Sequence, residues 1–277
     1  MINQNLIIIP TYQESENISD LIEAIFSLAL PFEILIVDDN SSDGTAQIVK
    51  TKQEIYPETL HLIQRPKKMG LGTAYIAGFK FGLKNNYNYI YEMDADFSHN
   101  PDDLIRLYAA CNTEGYDMAI GSRYVKGVNV VNWPIGRVIM SYCASIYVRS
   151  ITGLPIFDTT AGFKCYHKSV LQTIDLDALQ FLGYAFQIEM KFHAWKYGFK
   201  IKEVDVIFTD RRKGTSKMSS GIFKEAILGV LEMKICSLFK KYEPLYLSIK
   251  SDRLDGLNKV DNTNWNEKTQ NYQQAGK

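Results

Sequence analysis

The chain has 277 residues, of which 46% are hydrophobic and 12% aromatic, a composition typical of a globular protein with one large core. Basic and acidic side chains number 31 each, so the overall charge favours neither nucleic acid nor an anionic surface, and any recognition of phosphate must be local. The four cysteines are scattered, which argues against a zinc site and a disulfide framework.

The N-terminal residues predict neither a signal peptide nor a membrane anchor. They lead into an apolar strand pattern without a basic region or a cleavage site. No stretch reaches the ~18 consecutive apolar residues that a spanning helix needs. With the scattered cysteines, this pattern predicts a cytoplasmic protein.

Apolar runs of strand length alternate with helix-period segments, which is typical of a mostly parallel sheet flanked by helices. Asn100-Pro101 predicts a helix start after the fourth strand. We therefore predict one α/β domain over residues 1–243 and a disordered polar tail over 244–277. The predicted strands are Leu6 to Ile9, Phe32 to Val37, Leu60 to Ile63, Tyr89 to Met93, Met118 to Ile120 and Val204 to Phe208.

Polar residues follow three of these strands. They are residues 10–14 after the first strand, 38–44 after the second and 94–96 after the fourth. Ligands of open α/β sheets bind beyond the carboxyl ends of the strands, so we expect a site at this edge.

The triplet Asp94-Ala95-Asp96 predicts a metal site. Alternate residues at a strand end point the same way, so the two carboxylates can share one hard divalent cation, Mg²⁺ or Mn²⁺. Such a cation would neutralise charge on a diphosphate leaving group. The alternative is a pair of solvated turn carboxylates.

Asp38-Asp39 ends a buried-looking strand and could accept hydrogen bonds from ribose hydroxyls or a base edge. The alternative is an Asx turn and helix cap, with Ser41, Ser42 or Asp43 capping the next helix. Both can hold together if one Asp binds while Asp43 caps. Gly70-Leu71-Gly72 partly matches a dinucleotide fingerprint, but Tyr75 replaces the third glycine. The basic segment 65–68 before it is interpreted as a flexible surface loop near the substrate.

Basic residues in three loops could bind phosphate oxygens: Arg123, Arg137 and the pair Arg211-Arg212. The alternative for each is a solvated surface charge, above all for Arg212. No nucleophile and base arrangement stands out, and His99 is interpreted as structural or as a ligand contact. A phosphate acceptor needs no enzymatic base, because its second pKa of ~6 leaves it largely a dianion at cytoplasmic pH.

At these motifs the chain resembles the dolichol-phosphate (polyprenol-phosphate) mannosyltransferases, a branch of the inverting glycosyltransferase family 2 with the GT-A fold. The resemblance covers about Leu6 to Phe239. It rests on residues 10–14, 37–45, 70–74, 94–99, Gly121-Ser122-Arg123-Tyr124, Asp158 to Phe163, Asp210-Arg211 and Ser216-Lys217.

The resemblance implies a role for each site residue. Pro10, Tyr12, Glu14, Val37 and Asp39 would hold the nucleoside. Asp94 and Asp96 would bind the metal, with help from the Ala95 backbone. Arg123, Arg211 and Lys217 would bind the donor diphosphate and acceptor phosphate, and Arg137 would face the acceptor. Asp96, Arg123 and Arg211 would be the catalytic residues.

The activity expected from this resemblance is transfer of one mannose from GDP-mannose to a polyprenyl phosphate. Two alternatives stay open, namely UDP-glucose or another nucleotide sugar as donor, and a non-catalytic scaffold subunit. The expected partners are the nucleotide sugar, the lipid phosphate, the cytoplasmic membrane surface and a small membrane-anchored subunit, without nucleic acid. Two segments, Val138 to Val148 and Gly221 to Lys241, are predicted as interfacial helices. The alternative for both is a helix that covers the sheet.

Overall fold

A computed structural model describes residues 4–181, 183, 185–210 and 221–242, with the backbone alone for 221–226. These residues belong to one compact unit that ends at Tyr242. The predicted tail, residues 244–277, lies outside the described residues, and the predicted domain boundary stays a prediction.

Strands and helices alternate along the chain. The strands are β1 (Asn5–Thr11), β2 (Glu33–Asp38), β3 (Leu60–Gln64), β4 (Tyr89–Glu92), β5 (Met118–Ser122), β6 (Val130–Val131), β7 (Lys164–His167), β8 (Ile201–Asp205) and β9 (Phe208–Thr209). The helices are α1 (Ile18–Phe26), α2 (Thr45–Ile55), α3 (Leu71–Lys84), α4 (Asp103–Asn112), α5 (Ile135–Thr152), α6 (Lys168–Thr173), α7 (Ala185–Lys196) and α8 (Gly221–Phe239).

The central sheet has the order β3-β2-β1-β4-β7-β5-β8, and β6 pairs with β9 separately. All central pairings are parallel except those of β7 with β4 and with β5. The predicted fold class, a mostly parallel sheet flanked by helices, is confirmed. Helices cover both faces of β1 and β2, so these strands are almost continuously apolar and buried.

The close packing of α3 on β1 depends on glycine. A Cβ atom added to Gly78 would lie 2.6 Å from Cγ2 of Ile8, so only a residue without a side chain lets the helix approach this strand. The contact places Tyr75, one turn earlier, beneath the carboxyl end of β4.

Five of the six predicted strands are confirmed, and the sixth is wrong in its bounds. Residues Val204 to Phe208 do not form one strand; β8 ends at Asp205, and the separate strand β9 begins at Phe208. Strands β6 and β7 were not predicted from the sequence. Helix α4 follows β4, as predicted, but begins at Asp103 after a turn in which Asn100 Oδ1 accepts a hydrogen bond from the Asp102 amide at 3.2 Å.

Helices α5, α7 and α8 pack together beside the sheet. Val148 of α5, Phe192 of α7 and Val230 of α8 belong to one buried cluster. The hydroxyl of Tyr147 donates to the Ile227 carbonyl at 2.9 Å and ties α5 to α8. Within the described part of the chain, no helix has both the length and the apolar character of a membrane span.

Candidate active site

The carboxyl ends of β1, β2 and β4 meet at one edge of the sheet, as predicted from the sequence. Backbone strain is concentrated there. Each of the three following loops contains one non-glycine residue with φ between 56° and 60°: Gln13, Asn40 and Phe97. Such conformations cost free energy and cluster at functional sites, so the three loops form the rim of a candidate active site.

The two aspartates at the carboxyl end of β2, Asp38 and Asp39, have different surroundings. Asp38 is fully buried, and its carboxylate accepts hydrogen bonds from the Thr11 hydroxyl (2.8 Å), the Ser41 amide (2.9 Å) and the Ser41 hydroxyl (2.6 Å). Asp39 accepts from the Arg65 side chain and from the Met69 amide at 3.1 Å. Asp38 therefore holds two rim loops together, and Asp39 is the better candidate for ligand contact.

The environment of Arg65 differs from the one predicted from the sequence. Instead of lying in a flexible surface loop, it is 8% exposed and pairs with Asp39. Its guanidinium also donates to the Thr73 hydroxyl at 2.5 Å and to the Gly70 carbonyl at 3.2 Å. Arg65 is buried because it neutralises Asp39 and ties the loop to the first turn of α3.

The other residues expected to hold the nucleoside lie at or just after the carboxyl ends of β1 and β2. Pro10 and Val37 face each other in the β1–β2 register, and Val37 is fully buried. The Tyr12 ring lies 4.6 Å from the ammonium of Lys68. The Glu14 carboxylate accepts from Asn17 Nδ2 at 3.1 Å.

The N-cap of the helix after β2 is Gly44 rather than the predicted Asp43, but Asp43 contacts the first turn of that helix. Its Oδ1 accepts from the Thr45 amide at 3.1 Å, at the first residue of α2. Its Oδ2 accepts from the Ser15 amide at 3.0 Å, so the same side chain links the loops after β1 and β2.

Asp94 and Asp96 lie in the loop between β4 and α4. The Asp94 side chain is 39% exposed, and Tyr75 Oη lies 3.5 Å from its Oδ1. Asp96 is 9% exposed, and its Oδ1 accepts from the Ser98 amide at 3.1 Å. Crowding by protein atoms, followed by the negative charges of Asp96 and Glu92, raises the pKa of Asp94 to about 7.

This arrangement fits a divalent cation bound together with a diphosphate. The described residues contain no group of three or more His, Cys, Asp and Glu side chains placed to hold a metal. Magnesium in nucleotide sites commonly has one or two carboxylate ligands and takes the others from phosphates and water. A bound cation would neutralise the negative charges of Asp96 and Glu92, which add to the effect of burial on the pKa of Asp94. Ala95, 5% exposed, lies between the two carboxylates.

His99 has a structural position beneath this loop. It is 3% exposed, and its ring stacks on Phe163 with the centroids 4.7 Å apart. Its Nδ1 accepts a hydrogen bond from the Asp94 amide at 3.1 Å. Of the two interpretations of His99 drawn from the sequence, the structure favours the structural one.

Arg123 follows β5 and forms a buried ion pair. Its Nε and Nη2 donate to the two carboxylate oxygens of Asp158 at 2.7 and 2.6 Å, and Nη2 also donates to the Thr160 hydroxyl at 2.8 Å. Arg123 holds the pKa of Asp158 below its usual range, against the opposing effect of burial. The sequence motif located both segments, but it did not reveal that they pair.

Arg137 lies in the first turn of α5. Its guanidinium stacks 4.0 Å from the Trp133 ring and pairs with Asp210 at 2.9 Å. Asp210 is the last described residue before 221. The predicted phosphate-binding residues Arg211 and Lys217, and Arg212 beside them, lie outside the described residues.

The strand order of the sheet and the acidic pair after β4 identify the class of the protein. Both are features of the GT-A fold of nucleotide-sugar transferases. Residues 6–175 match the family model described as glycosyl transferase family 2. The chain therefore belongs to glycosyl transferase family 2 and is a glycosyltransferase.

Three similar proteins refine the comparison. The chain is 43% identical to polyprenol monophosphomannose synthase of Mycolicibacterium smegmatis over 84% of this chain and 87% of that protein. It is 43% identical to undecaprenyl-phosphate mannosyltransferase of Micrococcus luteus over 81% and 91% of the two chains. The family resemblance drawn from the motifs is thereby confirmed.

The third similarity concerns the fold alone. The structure of glucosyl-3-phosphoglycerate synthase from Mycobacterium tuberculosis, in complex with Mn²⁺, UDP and glucosyl-3-phosphoglycerate, superposes with a TM-score of 0.64 at 16% identity. The alignment covers 83% of this chain and 80% of that one.

Proposed function

We propose that the protein transfers one mannose from GDP-mannose to a polyprenyl phosphate, with inversion at the anomeric carbon. The observation that carries this proposal is the Asp94–Asp96 pair beyond β4, at the same rim as Asp39. The two curated relatives at 43% identity are named as polyprenol-phosphate mannose transferases, which supports this acceptor and this sugar.

Two acidic parts of the rim bind the two ends of the donor nucleotide. Asp39, with Pro10, Tyr12, Glu14 and Val37 around it, holds the nucleoside. The diphosphate lies at Asp94 and Asp96, which hold Mg²⁺ or Mn²⁺. The solved glucosyltransferase with the same fold contains Mn²⁺ and UDP, which supports use of a divalent cation and keeps UDP-glucose as the alternative donor.

In the transfer step, an acceptor phosphate oxygen bonds to the anomeric carbon while the bond from that carbon to the diphosphate oxygen breaks. The nucleoside diphosphate leaves with the electron pair. A bound cation supplies charge neutralisation for this leaving group. The acceptor dianion needs no proton removed, so the protein contributes alignment and electrostatic stabilisation.

The basic residues have different proposed tasks. Arg211 and Lys217 bind the donor diphosphate and acceptor phosphate, and Arg137, 33% exposed in its side chain, faces the acceptor. Arg123 is assigned to the same phosphates. Its pairing with Asp158 and Thr160 gives it a fixed orientation, so it acts as a rigid charge at this site.

Apolar side chains on α5 and α8 support peripheral binding at the cytoplasmic face of the membrane. Most large apolar side chains that are exposed in the described part of the chain belong to these two helices. Interfacial helices bury such faces at the lipid boundary, where the polyprenyl chain lies. The proposed partners at this surface include a small membrane-anchored subunit. The exposed residues are Ile135, Ile139, Met140, Tyr142 and Ile146 on α5 and Ile227, Leu228, Leu231, Ile235, Leu238 and Phe239 on α8.

A screen of nucleotide sugars tests the proposal. The purified protein is incubated with Mn²⁺, a short polyprenyl phosphate and either GDP-mannose or UDP-glucose. We expect mannosyl phospholipid from GDP-mannose, with a β linkage by NMR. Glucosyl product alone would establish the alternative donor. An absence of product from every donor, with intact binding of nucleotide, would favour a scaffold subunit.

A further inference from the structure

A chain of buried polar side chains lies beneath the acidic rim and joins β4, β7 and α7. Glu92, the last residue of β4, is directly opposite Lys164 in the antiparallel β4–β7 register. The two side chains are both fully buried, and Lys164 Nζ lies 3.0 Å from Glu92 Oε1. Lys164 also donates to Gln187 Oε1 on α7. We call these three residues the buried triad.

The buried triad is poorly explained as a source of stability. Removing two charges from water costs several kcal/mol per ion, and apolar replacements of buried pairs are often neutral or stabilising. The hydrogen bonding of the triad is also incomplete, since Glu92 Oε2 and Gln187 Nε2 are buried without a partner among the described atoms. Each buried group of this kind needs an explanation.

The position of Glu92 supplies one. It is the last residue of β4 and precedes Asp94 by only two residues. Glu92, Asp94 and Asp96 would together present three negative charges to a divalent cation. Lys164 offsets the first of these, which leaves the charge of Asp94 and Asp96 matched to a cation of charge two.

A second buried lysine, Lys191, differs from Lys164 because its partners are backbone carbonyls and not a carboxylate. Lys191 on α7 is also fully buried, but its ammonium donates to the carbonyls of Thr159 (3.0 Å), Ala161 (2.6 Å) and Gln187 (3.2 Å). Lys191 thus supports the 158–162 segment, whereas the ammonium of Lys164 contacts the Glu92 carboxylate. The hydroxyl of Tyr166 donates to the same Glu92 oxygen at 2.7 Å and fixes its orientation.

We propose that Lys164 and Glu92 are positioning residues whose balanced charges set the affinity of the Asp94–Asp96 site for its divalent cation. This inference rests on the proposed metal site. Glu92 is held on Lys164 and away from the cation, and the pair contributes no net charge. The unpaired Glu92 Oε2 and Gln187 Nε2 are the cost of placing this charge pair beneath the site.

Opposite single substitutions test charge balance. Lys164→Met leaves the Glu92 charge unbalanced, so we expect the Kd for Mn²⁺ to fall about tenfold. Glu92→Gln leaves the Lys164 charge unbalanced, so we expect the Kd to rise about tenfold. In the double variant both charges are absent, and we expect the Kd to return to within about threefold of the wild type.

The measurement is the concentration of free Mn²⁺ by electron paramagnetic resonance, with and without GDP and without acceptor, so that no turnover is needed. Circular dichroism and melting curves check that each variant folds, and the double variant is expected to fold even where a single one does not. Lys80→Met, which removes the charge of an exposed lysine paired with Asp177, is the matched control and should leave the Kd unchanged.

Two outcomes would overturn the inference while leaving the metal site intact. In the first, the Kd for Mn²⁺ shifts in the same direction in both single variants, as a purely structural role predicts. In the second, the variants fold and their Kd does not change. Asp96→Asn separates the two proposals. If it binds Mn²⁺ as the wild type does, or if the wild type binds none, the metal site is wrong and the role of the triad is wrong with it.

Discussion

The backbone amide of Asp94 donates a hydrogen bond to Nδ1 of His99 at 3.1 Å. An imidazole nitrogen accepts such a bond only when it carries no proton. Burial, opposed by Asp96 and reinforced by Arg123, lowers the pKa of His99 to about 4. The loop that carries the acidic pair is therefore held by a neutral histidine at neutral pH.

This bond predicts a specific loss of stability in acid. The pKa of His99 is about 4 in the folded protein, against 6.5 for an unperturbed histidine. Between these values the unfolded chain binds the proton and the folded protein does not, so stability falls as pH falls. We expect His99 to account for a loss of about 2 kcal/mol between about pH 7.5 and pH 5.

Urea unfolding of the wild type and of His99→Asn, whose Oδ1 can still accept a hydrogen bond, measures this effect. The free-energy difference between the two proteins should shift in favour of the variant as the pH falls. His61→Asn, which changes a partly exposed histidine on β3, is the control. A difference that is independent of pH would contradict the assignment of a neutral, buried His99.

Substitution of Asp96 tests the metal site through catalysis. Asp96→Asn removes one ligand charge, and we expect transfer to fall at least about a hundredfold, equivalent to about 3 kcal/mol of barrier. The melting temperature should change little. Asp102→Asn changes an exposed aspartate at the start of α4 and should leave turnover unaltered, whereas a chelator should abolish wild-type activity.

The location of the site followed from local patterns, because each strand end is marked by a change from apolar to polar residues. The ion pairs at the site could not be predicted from such local patterns. Asp39 pairs with Arg65 and Arg123 with Asp158 across separations of 26 and 35 residues, and periodicity carries no information on such partners. Arg65 was predicted to be exposed because a basic run without its partner is indistinguishable from a surface loop.

Strand β7 was missed for a related reason. Its sequence, Lys-Cys-Tyr-His, has a charged residue at its start, yet Lys164 is fully buried because it pairs with Glu92. A lysine within a strand is normally solvated. The antiparallel insertion of this strand between β4 and β5 depends on contacts that no local signal in the sequence describes.

The buried pair of Arg123 and Asp158 predicts a large effect on stability. Asp158→Asn leaves a buried guanidinium without its counterion, and we expect the free energy of unfolding to fall by about 3 kcal/mol or more. Asp205→Asn, which disrupts a partly exposed pair with Arg106, is the matched control and should cost less than about 1 kcal/mol. Equal losses would show that Arg123 finds other partners when Asp158 is neutral.

The apolar face of α5 predicts that access to the membrane and chemistry can be separated. Ile139 and Ile146 are 56% and 45% exposed, so aspartate at either position should leave the core intact. Charged residues disfavour burial at a lipid interface. The double variant should therefore bind liposomes less well and transfer mannose poorly to a long-chain acceptor, while transfer to a short, water-soluble acceptor is retained.

Flotation with liposomes and parallel assays with both acceptors measure this separation. Ile55→Asp is the control, because Ile55 is 62% exposed at the end of α2, outside the proposed membrane face. It should leave liposome binding unchanged. If the α5 variant loses activity on both acceptors equally while it stays folded, the α5 face contributes to the active site itself, and α8 becomes the surface to test for membrane contact.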